Sequence, residues 1–148
     1  MAYSYKTQSY LAYARAVDFS NAVAVMECSS VHLMIPQIVN AAFCCELILK
    51  ATVIMEKKHP VVFNEHKLDA LFSMLCQHTQ EQIRMDSSII DWDVFMRESS
   101  NAFVEWRYLH EKDEIKAISI SDLQRLFCAL KKHYEETYPL AKTVIVKE

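Results

Sequence analysis

The chain contains no glycine in 148 residues. Glycine is the residue that supplies positive φ cheaply at hairpin turns, bulges and helix C-caps. A chain without it is poorly suited to hairpins, barrels and tight loops, whereas helices joined by polar connections do not need it. Its absence also removes the glycine-rich phosphate loop and the dinucleotide-binding fingerprint, both of which need backbone to approach phosphate closely. The feature therefore points to an all-α protein and excludes two common nucleotide-binding devices.

Composition agrees with a folded, single domain. Hydrophobic residues make up 52% and charged residues 24%, and a chain of this length can bury roughly two thirds of its unfolded surface. The net charge of −3 gives no overall basic field to draw the chain onto nucleic acid or anionic lipid. Five cysteines, Cys28, Cys44, Cys45, Cys76 and Cys128, include no CxxC pair and are read as buried free thiols in a reducing cytoplasm. No metal site is expected, because Cys76 and His78 lack a second ligand pair at zinc spacing. No cofactor is expected.

Periodicity predicts a bundle of about five helices. The first covers Tyr5 to Cys28. The second starts near Pro36 and runs to about Lys58, where His59-Pro60 ends it. It is apolar on nearly every side, which marks it as the central helix. It is also long enough to span a bilayer, but Glu46 and Lys50 sit in its middle. Each charge there costs on the order of 2.5–3.5 kcal/mol on insertion, so a buried core helix without a membrane is the expectation.

The third helix is predicted from an N-cap at Asn64, through Leu68, Leu71, Phe72 and Leu75, fading near Asp86. His66 falls in its first turn. Ser88 to Asp91 has capping-box spacing, and a fourth helix follows with Trp92, Phe95, Met96, Ser99, Ala102, Phe103 and Trp106 as its stripe. Leu109 to Ser119 reads as a charged loop. Ser119 or Ser121 caps a fifth helix that Pro139 stops, and 140–148 forms a C-terminal arm. The whole, 1–148, is one domain.

Three groups of residues could carry chemistry. Glu46 and Lys50 stand four apart in the favourable order. In so apolar a helix they are expected to belong to a partly buried polar network, since buried charges must be paired. His66 at a helix start is either a loop-bonding or a catalytic histidine. The segment Glu105 to Glu111 packs Arg107, Tyr108, His110 and two carboxylates into seven residues. Arginine can clamp phosphate and histidine can transfer protons, but cationic side chains at a helix C-terminus also answer the free carbonyls and the dipole.

Three blocks together, Asn40 to Ala51 (NAAFCCELILKA), His66 to Phe72 (HKLDALF) and Asn101 to Tyr108 (NAFVEWRY), resemble HEPN domains, the higher-eukaryote and prokaryote nucleotide-binding family. The match spans about Pro36 to Glu111. The resemblance implies an up-and-down bundle of four or five helices, usually a homodimer. Many members are metal-independent ribonucleases of toxin–antitoxin, phage-defence or RNA-processing systems. Others bind nucleotides or partner proteins. The ribonuclease members place four to six residues between an arginine and a histidine, with a polar residue after the arginine. Here Arg107 and His110 have two residues between them and Tyr108 follows the arginine, while Arg125 and His133 have seven between them. The sequence thus predicts a HEPN-like module that binds a nucleotide, RNA or a partner protein. Glu46, Lys50, His66, Tyr108 and Glu111 form the candidate binding set. The alternatives are a ribonuclease using Arg107 and His110, whose copies can converge across a dimer, and a structural helical adaptor.

Overall fold

The computed structural model describes residues 4–111 and 118–139. Among the described residues there are seven α-helices and no strand: α1 (Tyr5–Glu27), α2 (Met34–Lys57), α3 (Leu68–Ser73), α4 (Gln77–Ser87), α5 (Trp92–Ser99), α6 (Ala102–Arg107) and α7 (Ile120–Thr137). A short 3-10 turn, Leu109–Glu111, follows α6. The all-helical expectation holds. The count of four to five does not, because the predicted third and fourth helices are each two.

The long helices follow their local signals. The Ser4 side chain accepts the Thr7 N–H and starts α1. Ser119 does the same for α7 by accepting the Asp122 N–H, as the sequence predicts. Helix α2 starts two residues before Pro36 and ends at Lys58, which takes a left-handed conformation with φ 57°. It packs against α1, α3, α6 and α7. Of its most apolar stretch 72% is buried inside the fold, which makes it the core helix.

Helix direction is fixed by side-chain bonds between ends. The start of α1 meets the end of α2, where Gln8 exchanges two hydrogen bonds with the backbone of Val61 at 2.7 and 3.0 Å. The Ser9 hydroxyl donates to the Ala51 carbonyl at 2.7 Å and lies 2.8 Å from the Tyr134 hydroxyl. At the other end, Gln124 of α7 donates to Glu27 at 2.5 Å. Helix α1 therefore runs antiparallel to both α2 and α7. Tyr13 and Tyr134 stack at 4.8 Å between α1 and α7, and Tyr13 donates a hydrogen bond to Glu135.

The two broken helices have identifiable causes. Asn64 does not cap α3. The helix begins at Leu68, and Ser100 caps it from a distance: its carbonyl accepts the Leu68 N–H at 2.9 Å and its hydroxyl oxygen accepts the Asp69 N–H at 3.1 Å. Ser100 is free to do this because α5 has ended beside it, at Ser99. The turn Met74–Cys76 separates α3 from α4, and Glu56 of α2 caps the new helix by accepting the Cys76 N–H at 2.8 Å and the Thr79 hydroxyl at 2.6 Å. The capping box at Ser88–Asp91 does not form. Asp91 makes no side-chain cap bond, and Ser88 instead closes α4 with φ 55°.

The thiol expectation also needs correction. Cys44 and Cys45 are buried, but Cys28, Cys76 and Cys128 are exposed. Most of the predicted charged loop and the whole 140–148 arm lie outside the described residues.

Candidate functional site

Helix α2 carries Glu46 and Lys50 one turn apart. Glu46 is 1% exposed. Its Oε1 accepts from Lys50 Nζ at 2.6 Å and lies 2.8 Å from His66 Nδ1. The predicted polar network therefore exists, and His66 completes it. His66 itself sits two residues before α3, not within its first turn. It reaches Glu46 because the Lys58–Lys67 connection folds back over α2. That connection is pinned at one end by the Gln8–Val61 clasp and at the other by the Leu68–Ser100 bond.

The three side chains differ sharply in exposure. The Lys50 side chain is 14% exposed and that of His66 is 53% exposed. The Phe63 ring, from the same connection, lies 5.5 Å from Lys50 Nζ. Only the backfolding of that connection over α2 brings Phe63 to this position.

One atom is left over. Glu46 Oε2 is buried and has no hydrogen-bond partner among the described residues. Both donors crowd onto Oε1 while the second oxygen has none. A buried carboxylate oxygen without a donor is costly, more so than a neutral carbonyl. A separate open cleft of about 380 Å³, which none of Glu46, Lys50 and His66 lines, carries Lys67 and Arg97 together with the carboxylates of Asp69, Asp93 and Glu105. Small-molecule sites fall in this size range.

Arg107, Tyr108, His110 and Glu111 are placed differently. Arg107 is exposed and stacks over the Phe103 ring at 4.3 Å and the Tyr108 ring at 5.3 Å. Phe103 in turn stacks on Phe43 of α2 at 4.3 Å. His110 Nε2 lies 3.6 Å from Glu111 Oε1, and both side chains are largely exposed. Among the described residues, no hydrogen bond or ion pair joins Arg107 or His110 to Glu46, Lys50 or His66. The candidate residues thus fall into a half-buried cluster on α2 and an exposed strip on α6 and the turn after it.

A second polar cluster lies at the far end of α2, α4 and α7. Burial holds the His133 imidazole below its ordinary range, opposed by the Glu56 carboxylate. Burial, together with Glu56 and Cys76, pushes the Tyr138 phenol up to about 12. The two rings meet edge-on at 6.4 Å. This region holds helix ends together, and the capping by Glu56 accounts for its carboxylate.

What the fold and site define is a helical protein with one buried carboxylate serving two basic side chains. No family model, curated protein or solved structure matches the chain.

Proposed function

We propose that this chain is a HEPN-like helical module that binds a nucleotide at the Glu46–Lys50–His66 cluster and does not act as a nuclease through Arg107 and His110. The observation that carries the reading is the sharing of Glu46 Oε1 by Lys50 and His66 at 2.6 and 2.8 Å. Glu46 holds the ammonium in place with one of its three donors, which leaves two for a ligand. The half-exposed imidazole offers its other nitrogen. The Phe63 ring beside Lys50 gives an aromatic face on which a base can stack. The antiparallel α1–α2 pair and the resemblance of the three sequence blocks support the family reading.

Within one protomer, no described contact joins Arg107 to His110 or either of them to the Glu46 cluster. A site for general acid–base cleavage places the proton-transfer group and the phosphate-binding cation within reach of one reacting atom. Here the arginine lies on an aromatic stack and the histidine faces Glu111.

Calorimetric titration with mononucleotides tests the proposal. Wild-type protein is expected to bind, and Lys50→Ala to weaken binding at least about ten-fold, the loss of a charge-assisted contact. Absence of heat with every nucleotide sinks it. A parallel incubation with single-stranded RNA in EDTA is expected to leave the RNA intact. Cleavage that disappears in Arg107→Ala would establish the ribonuclease instead. We further read the module as a cytoplasmic homodimer that works beside a partner protein, and light scattering at micromolar concentration tests the dimer.

A further inference from the structure

We propose that the cavity between α5 and the start of α7 docks a segment of a partner protein that presents a lysine or arginine beside an apolar side chain. This rests on the reading that the module works beside a partner protein, and it is independent of nucleotide binding at the Glu46 cluster.

The cavity holds about 340 Å³. Asp91, Phe95 and Glu98 line it from one face of α5, one turn apart from the N-cap onward. Asp122 and Arg125 line it from the first turns of α7.

Its charge selects the ligand. Three carboxylates, Asp91, Glu98 and Asp122, border the cavity against one guanidinium, Arg125. Arg125 already leans on Asp122 at 3.6 Å, and Arg97, which does not line the cavity, reaches Glu98 at 3.5 Å. The Asp91 side chain is exposed, and it makes no cap bond and no ion pair among the described residues. An anion is repelled here, although α7 begins at this edge, and Ser119 Oγ already takes the Asp122 N–H at 3.2 Å. A bare metal ion fits no better, because among the described residues no three carboxylates, thiols or imidazoles converge to hold one. Carboxylates spread along two walls suit a cation with several N–H donors on a long side chain, an ammonium or a guanidinium.

The floor of the cavity holds an unmet polar group. Phe95 and Ser99 are the buried members of the lining, and Ser99 is 1% exposed. Its hydroxyl has no hydrogen-bond partner among the described residues. Buried polar groups are as a rule bonded, and a donor seated over Ser99 supplies the missing bond.

The rim assigns the cation to a protein. Ile90 is 91% and Val94 46% exposed, both at the edge of the cavity. A free amine leaves these side chains in water. A peptide with an apolar residue next to its lysine or arginine covers them, which is favourable in itself.

The test is selection from a random-peptide phage library on the full chain. Recovered peptides are expected to carry lysine or arginine next to an apolar residue, and their synthetic versions to bind less tightly as salt rises. Asp91→Asn combined with Glu98→Gln should weaken them at least about five-fold at low salt. Ile90→Ser should weaken them at least about five-fold at any salt. If the double variant does not fold, Ile90→Ser and the wild-type salt dependence decide. Peptides without a basic residue, or peptides that bind the variants as they bind the wild type, overturn this face and leave the partner reading standing. Recovery of no peptide removes both. Spermidine binding as tightly as the peptides overturns the protein ligand in favour of a small cation. A dimer in light scattering that Ile90→Ser dissolves overturns it in favour of a second copy of this chain.

Discussion

Glu46 and His66, twenty residues apart in the chain, meet at 2.8 Å between a carboxylate oxygen that is almost wholly buried and an imidazole that is half exposed. The contact ties the core helix to the surface connection that follows it.

Removing that charge has a structural cost. Glu46→Ala leaves the nearly buried Lys50 ammonium without its acceptor. The expected loss is about 2–4 kcal/mol, in the range for stranding one member of a buried pair. Urea denaturation reads it as a lower midpoint at unchanged slope. A change within ~0.5 kcal/mol would mean that the pair behaves like a surface ion pair, and the buried-network description would be wrong.

Ser100 should matter more than a loop serine does. It is 7% exposed, and its hydroxyl accepts the Asp69 N–H and donates to Asp69 Oδ1. Ser100→Ala is expected to cost about 1–2 kcal/mol, the scale of a lost helix cap. Hydrogen exchange should quicken at the first amides of α3 before the rest of the helix. Unchanged protection there would refute capping by Ser100.

The missing glycines leave a mark that can be reversed. Lys58 and Ser88 close α2 and α4 with φ 57° and 55°, a conformation that costs a side-chain-bearing residue about 1 kcal/mol or more. Lys58→Gly and Ser88→Gly are each expected to stabilise by about 0.5–1 kcal/mol after the entropy of glycine in the unfolded chain is deducted. Thermal unfolding should show each as a rise of roughly 1–4 °C in Tm. As a control, Met85→Gly, in α4 and 75% exposed, should lower stability by about 1 kcal/mol. A loss in both cap variants would show that these side chains make contacts worth more than the strain.

Acid should weaken the fold through His133. Burial places its folded value below the unfolded one of about 6.5. At higher pH the imidazole is neutral in both states and nothing is lost. As pH falls through about 6.5 the unfolded chain takes up its proton first, so stability declines until the folded imidazole also protonates. Urea midpoints at a pH above and a pH below that value should fall less in His133→Gln than in the wild type. Identical declines would move the acid sensitivity to other groups.

Much of this molecule was legible from local chemistry. A glycine-free chain favours helices. Ser119 could be read as the α7 cap, because a side-chain cap acts within three residues of itself. Glu46 and Lys50 could be paired on paper for the same reason, being one turn apart on one helix. Pro36 and His59-Pro60 set the ends of α2 to within two residues or so, because proline acts on its own and the preceding residue.

The tertiary structure decided what depends on residues far apart. A continuous apolar stripe from Trp92 to Trp106 reads as one helix, yet the chain breaks at Ser100 because that serine serves α3, some thirty residues earlier. Asn64 has the right residue type for a cap, but the His66 and Lys67 amides it would serve go to Glu65 Oε1 at 2.9 Å, and the helix starts only at Leu68, under Ser100. His66 and Phe63 join the site only because Gln8 clasps Val61 and bends their segment over α2. Periodicity tells which face of a helix is apolar. It does not tell which distant donor will reach a buried oxygen, and at Glu46 that donor is His66, twenty residues further along the chain.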